Sequence, residues 1–452
     1  MVLGLRRRLA ELDPRTLRLL AVGAASYLGR LGSALALLIN VPLAREMLDA
    51  ERFGVWMMFS ALLGFFSFAD LGVGNALLNR VTAARAGDGL PGSRRLASEV
   101  VAGYVCTAVL GVVLLLGWLL WWLVAADPTV LVGRVAPPHH AEVLAALTVF
   151  ALLLALHLPA SLIQKIQLGA QDGHWVGVAQ FVAAVATLLA LPLTLHLGGG
   201  LAALVAASLG VQVLVNLVAS AWWLQRQGGL RWLRLAQVDR TLFATLLRSA
   251  GLFFALQLAA AFAFQSDAIV ITQTLGPAAY GEFSVVQRLF LLVAAGLSAG
   301  LTGLWPAFGD AVARGELRWV RQALLRGLLI TGAVATLATL VLVLAMETVA
   351  VRWLQAAAPP ALALSLALAA WTIVEALGAV GAACMNGANL LRAQLLFALV
   401  MATLAFTGKW WAVGQFGLPG AVLATLLAYL LVSVPGQIFI FKRMFSSDRA
   451  SP

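Results

Sequence analysis

Apolar stretches too long for a water-soluble core set the limits on what this chain can fold into. Leu110–Ala126 and Leu329–Met346 contain no charged residue. Runs of about eighteen apolar residues read as membrane-crossing helices. A spanning β-barrel would alternate apolar and polar residues with period two, whereas these runs are continuous, so helices are expected. The chain is 62% hydrophobic and only 11% charged, against about 25% charged in an ordinary soluble domain. Too few polar side chains are present to clothe a soluble fold of this length, and lipid must cover much of the surface.

Read run by run, the sequence predicts an all-α polytopic membrane protein of about twelve spans. They fall near 18–43, 53–79, 98–125, 142–165, 176–197 and 201–224, then 250–275, 281–308, 324–347, 361–386, 394–414 and 418–441. Basic residues orient this map, because Lys and Arg collect on the cytoplasmic side. With both termini in the cytoplasm, the outer loops hold Arg45, Arg52, Arg134 and Arg352. Arg30, Arg288 and Lys409 fall within helices, and every other Lys and Arg falls inside. A wrong span count would scramble that asymmetry. The paired tryptophans Trp121–Trp122, Trp222–Trp223 and Trp410–Trp411 sit at span ends, where indoles anchor helices at the interface.

Several function classes drop out. The net charge of +11 is spread over short loops and forms no basic face with interleaved aromatics, so no nucleic-acid partner is expected. Cys106 and Cys384 stand alone inside spans and give neither a disulfide framework nor metal spacing. Arg6–Arg8 precede an apolar stretch too long for a signal-peptide core. Gly408-Lys409 is followed by Trp410, so no phosphate-binding loop forms there. The chain carries no His-Glu-x-x-His. A transporter is expected, with no cofactor and no enzymatic centre.

The longest cytoplasmic connection divides the chain into a bundle over 1–224, an interfacial linker over 225–248 and a second bundle over 249–452. Short motifs recur in order across that division. Phe53-Gly54 before Trp56 pairs with Tyr280-Gly281 before Phe283. Gly169-Ala-Gln171 pairs with Gly387-Ala-Asn389, and Gly198-Gly-Gly-Leu-Ala202 with Gly417-Leu-Pro-Gly-Ala421. Two parallel six-helix repeats place a midplane cavity between the halves and suit alternating access.

Charges within spans mark the candidate site, because an ionisable group at a helix centre costs about 2.5–3.5 kcal/mol to insert and normally faces a cavity or a partner. Arg30, Arg288 and Lys409 are the cations, although the long stem of Lys409 could reach the interface instead. With Asn75, Gln257 and Gln265 they form the expected substrate-binding set. Asp70, Asp267 and Glu375 form the expected ion-coupling set, for H+ or Na+, with Glu375 the candidate proton carrier. Pro159, Pro192, Pro306 and Pro435 interrupt spans and free backbone carbonyls.

Gly54-Val-Trp56, Phe68-Ala-Asp70-Leu-Gly72-Val-Gly74-Asn75 and Arg80 together resemble the second-helix signature of bacterial polysaccharide-biosynthesis flippases. Asp267, followed by Leu275-Gly-Pro-Ala-Ala-Tyr280, is similar to their seventh-helix pattern. The resemblance implies the superfamily of multidrug, oligosaccharidyl-lipid and polysaccharide exporters, in its O-antigen-type branch. It implies movement of an undecaprenyl-pyrophosphate-linked oligosaccharide across the bacterial inner membrane, with a polysaccharide polymerase and glycosyltransferases as partners. Arg30 and Arg288 would hold the pyrophosphate, since guanidinium donors match phosphate oxygens in pairs. A multidrug exporter of the same fold, a lipid II flippase with fourteen spans and a non-transporting scaffold of an envelope-polymer assembly are the alternatives.

Overall fold

A computed structural model describes residues 14–446, except 67–69, 71, 89–93, 134, 171, 228, 230–242, 353–359, 389 and scattered positions within 245–261 and 302–313. The regular elements among the described residues are all helical. The first are α1 (Pro14–Met47), α2 (Ala50–Phe66), α3 (Val73–Asp88), α4 (Arg94–Val124) and the short α5 (Thr129–Val132). Then come α6 (His140–Gly169), α7 (His174–His196), α8 (Leu201–Val205) and α9 (Val211–Arg226). They are followed by α10 (Asp267–Leu275), α11 (Pro277–Leu301), α12 (Leu317–Arg352), α13 (Leu362–Gly387) and α14 (Leu391–Phe416). The chain closes with α15 (Leu418–Ala428) and α16 (Val434–Ser446).

Ten helical segments among the described residues are long and apolar enough to cross a membrane. The α12 surface shows why lipid is required: Leu329 is 73% exposed and Leu344 74%. The expected span 250–275 lies partly outside the described residues, and α10 is its C-terminal end. The expected span 53–79 is not one helix. α2 is described as far as Phe66, Asp70 and Gly72 lie in a turn, and α3 starts at Val73, where the Asp70 carboxylate accepts the Gly72 and Gly74 N–H groups, each at 2.9 Å. That carboxylate caps a new helix, as Asp does at an N-terminus. Gly72 supplies the positive φ of 78° that the turn requires.

Contacts divide the chain into two compact units. Unit 1 holds Met1–Met47, Phe66–Pro128 and Pro137–Ala255, and unit 2 holds Leu48–Phe65, Thr129–Ala136 and Leu256–Pro452. These are not the contiguous halves 1–224 and 249–452: α2 and α5 group with unit 2. Most of the expected linker 225–248 lies outside the described residues, as does Pro306. Pro159 and Pro192 sit inside α6 and α7.

In unit 1, α1 lies along α7. A Cβ on Gly29 would come within 3.1 Å of the Gln180 side chain, and one on Gly32 within 3.1 Å of the Phe181 ring. Small residues permit that approach where lipid offers no hydrophobic drive between helices. The α8–α9 and α15–α16 spans each contain one π-helical stretch, Ala206–Gly210 in unit 1 and Tyr429–Ser433 in unit 2. Such bulges leave i→i−4 bonds unmade and cluster at functional positions.

Candidate functional site

Three polar assemblies are built from spans that are otherwise apolar. The first lies in unit 1, at the start of α3. Asn75 Oδ1 accepts a hydrogen bond from Lys165 Nζ of α6 at 2.8 Å. Arg80 of α3 forks onto Glu99 of α4, with Nη2 to Oε1 at 2.7 Å and Nε to Oε2 at 2.5 Å. Glu99 is buried. The signature residues Asp70, Asn75 and Arg80 therefore cap one helix and tie it to two others.

The second assembly lies in unit 2, around Lys409 of α14. This side chain is fully buried, at 0% exposure, so it does not reach the interface. Its ammonium donates to Ala263 O at 2.8 Å and Ser266 Oγ at 3.1 Å, and it forms an ion pair with Asp267 Oδ1 at 2.6 Å. Asp267 opens α10, where the helix dipole favours a negative charge. Its second oxygen accepts from Gln287 Nε2 of α11 at 3.3 Å. Lys409 and Asp267 thus cancel each other's charge.

Arg288 lies one residue beyond Gln287. It lines a cavity of about 170 Å³ together with Ser60 of α2, Gln265, Asp267, Tyr280 and Ser284. Among the described residues no hydrogen bond or ion pair engages its guanidinium. With Asp267 neutralised by Lys409, this cavity retains one uncompensated positive charge, two hydroxymethyl groups and two amides.

The third assembly surrounds Glu375 of α13. A cavity of about 310 Å³ is walled by Phe264, Trp371, Phe397 and Tyr429 and edged by Glu375 and Gln437. Trp371 stands 5.8 Å from Phe264 and 5.7 Å from Tyr429, centroid to centroid. Gln437 Nε2 donates to Tyr429 Oη at 3.1 Å. Gly378 lets that phenol approach, because a Cβ there would overlap the Tyr429 hydroxyl. Glu375 has no hydrogen bond or ion pair among the described residues. Phe264 borders both this cavity and the one at Arg288.

Unit 2 thus gathers Asp267, Lys409, Gln265 and Arg288 in one place and Glu375 beside it. Asp70 and Asn75 lie apart in unit 1, and Arg30 is exposed on α1. The Gln257 side-chain oxygen is buried without a partner among the described residues. Sequence reasoning missed Ser266, Trp371, Tyr429 and Gln437. The available signal was Gly378 and Gly381 on one span and Tyr429 and Gln437 on another: a Cβ on Gly381 would overlap Gln437 Oε1.

The sequence model of the family described as polysaccharide biosynthesis protein matches residues 21–312. The chain belongs to this family. Solved structures share the fold of this polysaccharide biosynthesis protein at low identity. A multidrug resistance MATE family transporter of the MOP superfamily, in an inward-facing conformation, aligns with a TM-score of 0.78 at 15% identity, over 93% of this chain and 96% of that one. A MOP superfamily transporter from Pyrococcus furiosus, described as having a binding pocket of reverse polarity, aligns with a TM-score of 0.66 at 15% identity, over 98% of each chain. No curated protein matches the sequence. The polysaccharide biosynthesis protein is therefore a multi-pass membrane protein with a transporter fold.

Proposed function

We propose that the chain is a flippase. Its substrate is an undecaprenyl-pyrophosphate-linked oligosaccharide, moved across the bacterial inner membrane by alternating access with both termini in the cytoplasm. The observation that carries this reading is Arg288: an intramembrane guanidinium in a polar cavity, left unneutralised because Lys409 takes Asp267. An uncompensated, partly buried cation attracts an anion, and a planar fork suits phosphate oxygens. Arg30, the other intramembrane arginine, is exposed on α1 of unit 1 and is assigned a separate contact with the substrate, while the lipid tail stays in the bilayer. Membership of the polysaccharide biosynthesis family supports the substrate class. A polysaccharide polymerase and glycosyltransferases consume and supply the substrate.

The test is surface polysaccharide in cells whose own copy is deleted. Arg288→Ala and Arg30→Ala should each abolish it while the protein remains in the membrane, and Arg288→Lys should restore part of it. Normal polymer display by Arg288→Ala rejects the reading. Coupling to H+ or Na+ is assigned to Glu375, whose carboxylate has no partner among the described residues, rather than to Asp267. Transport in vesicles that survives collapse of both gradients counts against coupling.

One observation favours a second reading. An acid among aromatic rings, as in the Glu375 cavity, suits an organic cation. Export of ethidium that is lost in Glu375→Gln, with polysaccharide unaffected, would favour a multidrug exporter.

A further inference from the structure

Where α7 begins and α9 ends, unit 1 carries an aromatic stack that none of the assemblies above uses. Trp175 and Trp222 lie 4.5 Å apart, centroid to centroid. His174 extends the row, with its ring 5.2 Å from Trp175. Arg226 lies over Trp222 with Cζ 3.9 Å from the ring centroid and 5.9 Å from that of Trp175. A guanidinium held by its flat face keeps its N–H donors in the plane, pointing away from the ring. Arg226 is exposed, and among the described residues no acceptor takes those donors. Asp172, two residues before His174, forms no ion pair with it.

We propose that this stack is a binding site for the phosphate of an anionic membrane phospholipid. Its position argues for that source. It sits at the ends of two spans, where tryptophan rings settle at head-group level, on the side that the arginine distribution assigns to the cytoplasm. The rings fix the guanidinium in one orientation, so little rotamer entropy remains to be lost when a ligand binds. A phosphate offers paired oxygens to the free edge of the fork, and the charge-assisted bonds are about twice as strong as neutral ones. The inference does not depend on what the chain transports.

The test uses the full-length protein in nanodiscs of phosphatidylcholine doped with phosphatidylglycerol, with retained lipid weighed by native mass spectrometry. Wild type should hold phosphatidylglycerol over phosphatidylcholine. Arg226→Gln should lower that preference about tenfold, as loss of a hydrogen bond to a charged group implies. Arg226→Lys, with the charge but not the fork, should fall between them. Thermal unfolding of each variant, matched to wild type, separates lipid loss from misfolding; Trp222→Phe, which keeps a ring under the guanidinium, provides a second reading if Arg226→Gln fails to fold. An unchanged phosphatidylglycerol preference in Arg226→Gln or Arg226→Lys overturns the proposal. So does displacement of the lipid by millimolar inorganic phosphate, which would mark a site for free anions.

Discussion

Gly54 and Gly281, which the sequence pairs as equivalent positions of two repeats, lie against each other within unit 2. A Cβ on Gly281 would stand 3.1 Å from the Gly54 Cα and 3.0 Å from the Phe53 ring, and one on Gly54 would overlap the Pro277 carbonyl. The two aromatic-Gly motifs are thus packed backbone to backbone. Glycine is required for space at Gly54 and fits tightly at Gly281, and neither has a positive φ.

Gly54→Ala should therefore cost roughly 3 kcal/mol, the upper end for overpacking, because a backbone carbonyl cannot rotate aside as a side chain can. Gly296→Ala is the control. Nothing lies within 4 Å of a Cβ there, and alanine favours the helix. Thermal unfolding in detergent should show a large loss for the first and no loss for the second.

Lys409 and Asp267 should behave as one unit. Lys409→Met leaves a buried carboxylate with Gln287 alone and should destabilise by about 3–5 kcal/mol, as breaking a buried pair does. Adding Asp267→Asn removes the orphaned charge and should recover much of that loss. A double-mutant cycle on unfolding midpoints measures the coupling. Additive losses would mean that the two charges act separately.

The spans were legible because transfer of apolar runs into lipid is a local property of sequence. The candidate charges were legible for the same reason: Arg288, Lys409, Asp267 and Glu375 stand out against apolar neighbours. Which charge meets which was not. Nothing local to Lys409 says that Ala263, Ser266 and Asp267 complete its coordination, so its long stem was equally compatible with the interface. The break at Asp70 was hidden differently. Leu71-Gly-Val-Gly is apolar enough to continue a span, and only the carboxylate folding back onto two N–H groups marks the start of a new helix. The cavity at Glu375 depended on Tyr429 and Gln437 turning toward α13 from a span with a π-helical stretch, and sequence periodicity does not report such a shift in phase.

Asp70 should prove to be a cap. Asp70→Ala deletes two hydrogen bonds to the start of α3 and should cost about 1–2 kcal/mol, the usual range for losing an N-cap. Asp70→Asn keeps one acceptor and should cost less. Neither should alter the gradient dependence of transport in vesicles. A variant that folds normally but no longer responds to H+ or Na+ would return Asp70 to the coupling set.

Gly378→Ala should close the Glu375 cavity from beneath, because its methyl takes the space of the Tyr429 hydroxyl. Overpacking of this kind costs about 1–3 kcal/mol, and Tyr429→Phe on the same background should recover part of it by removing that oxygen. Glu375→Gln makes the opposite demand. Its carboxylate supports no bond among the described residues, so its loss should leave unfolding midpoints unchanged or raised, while gradient-driven transport fails. Asp267→Asn, which strands Lys409, should instead lower stability. Finding both acids equally costly to stability would place Glu375 in the framework and leave the coupling site without its carboxylate.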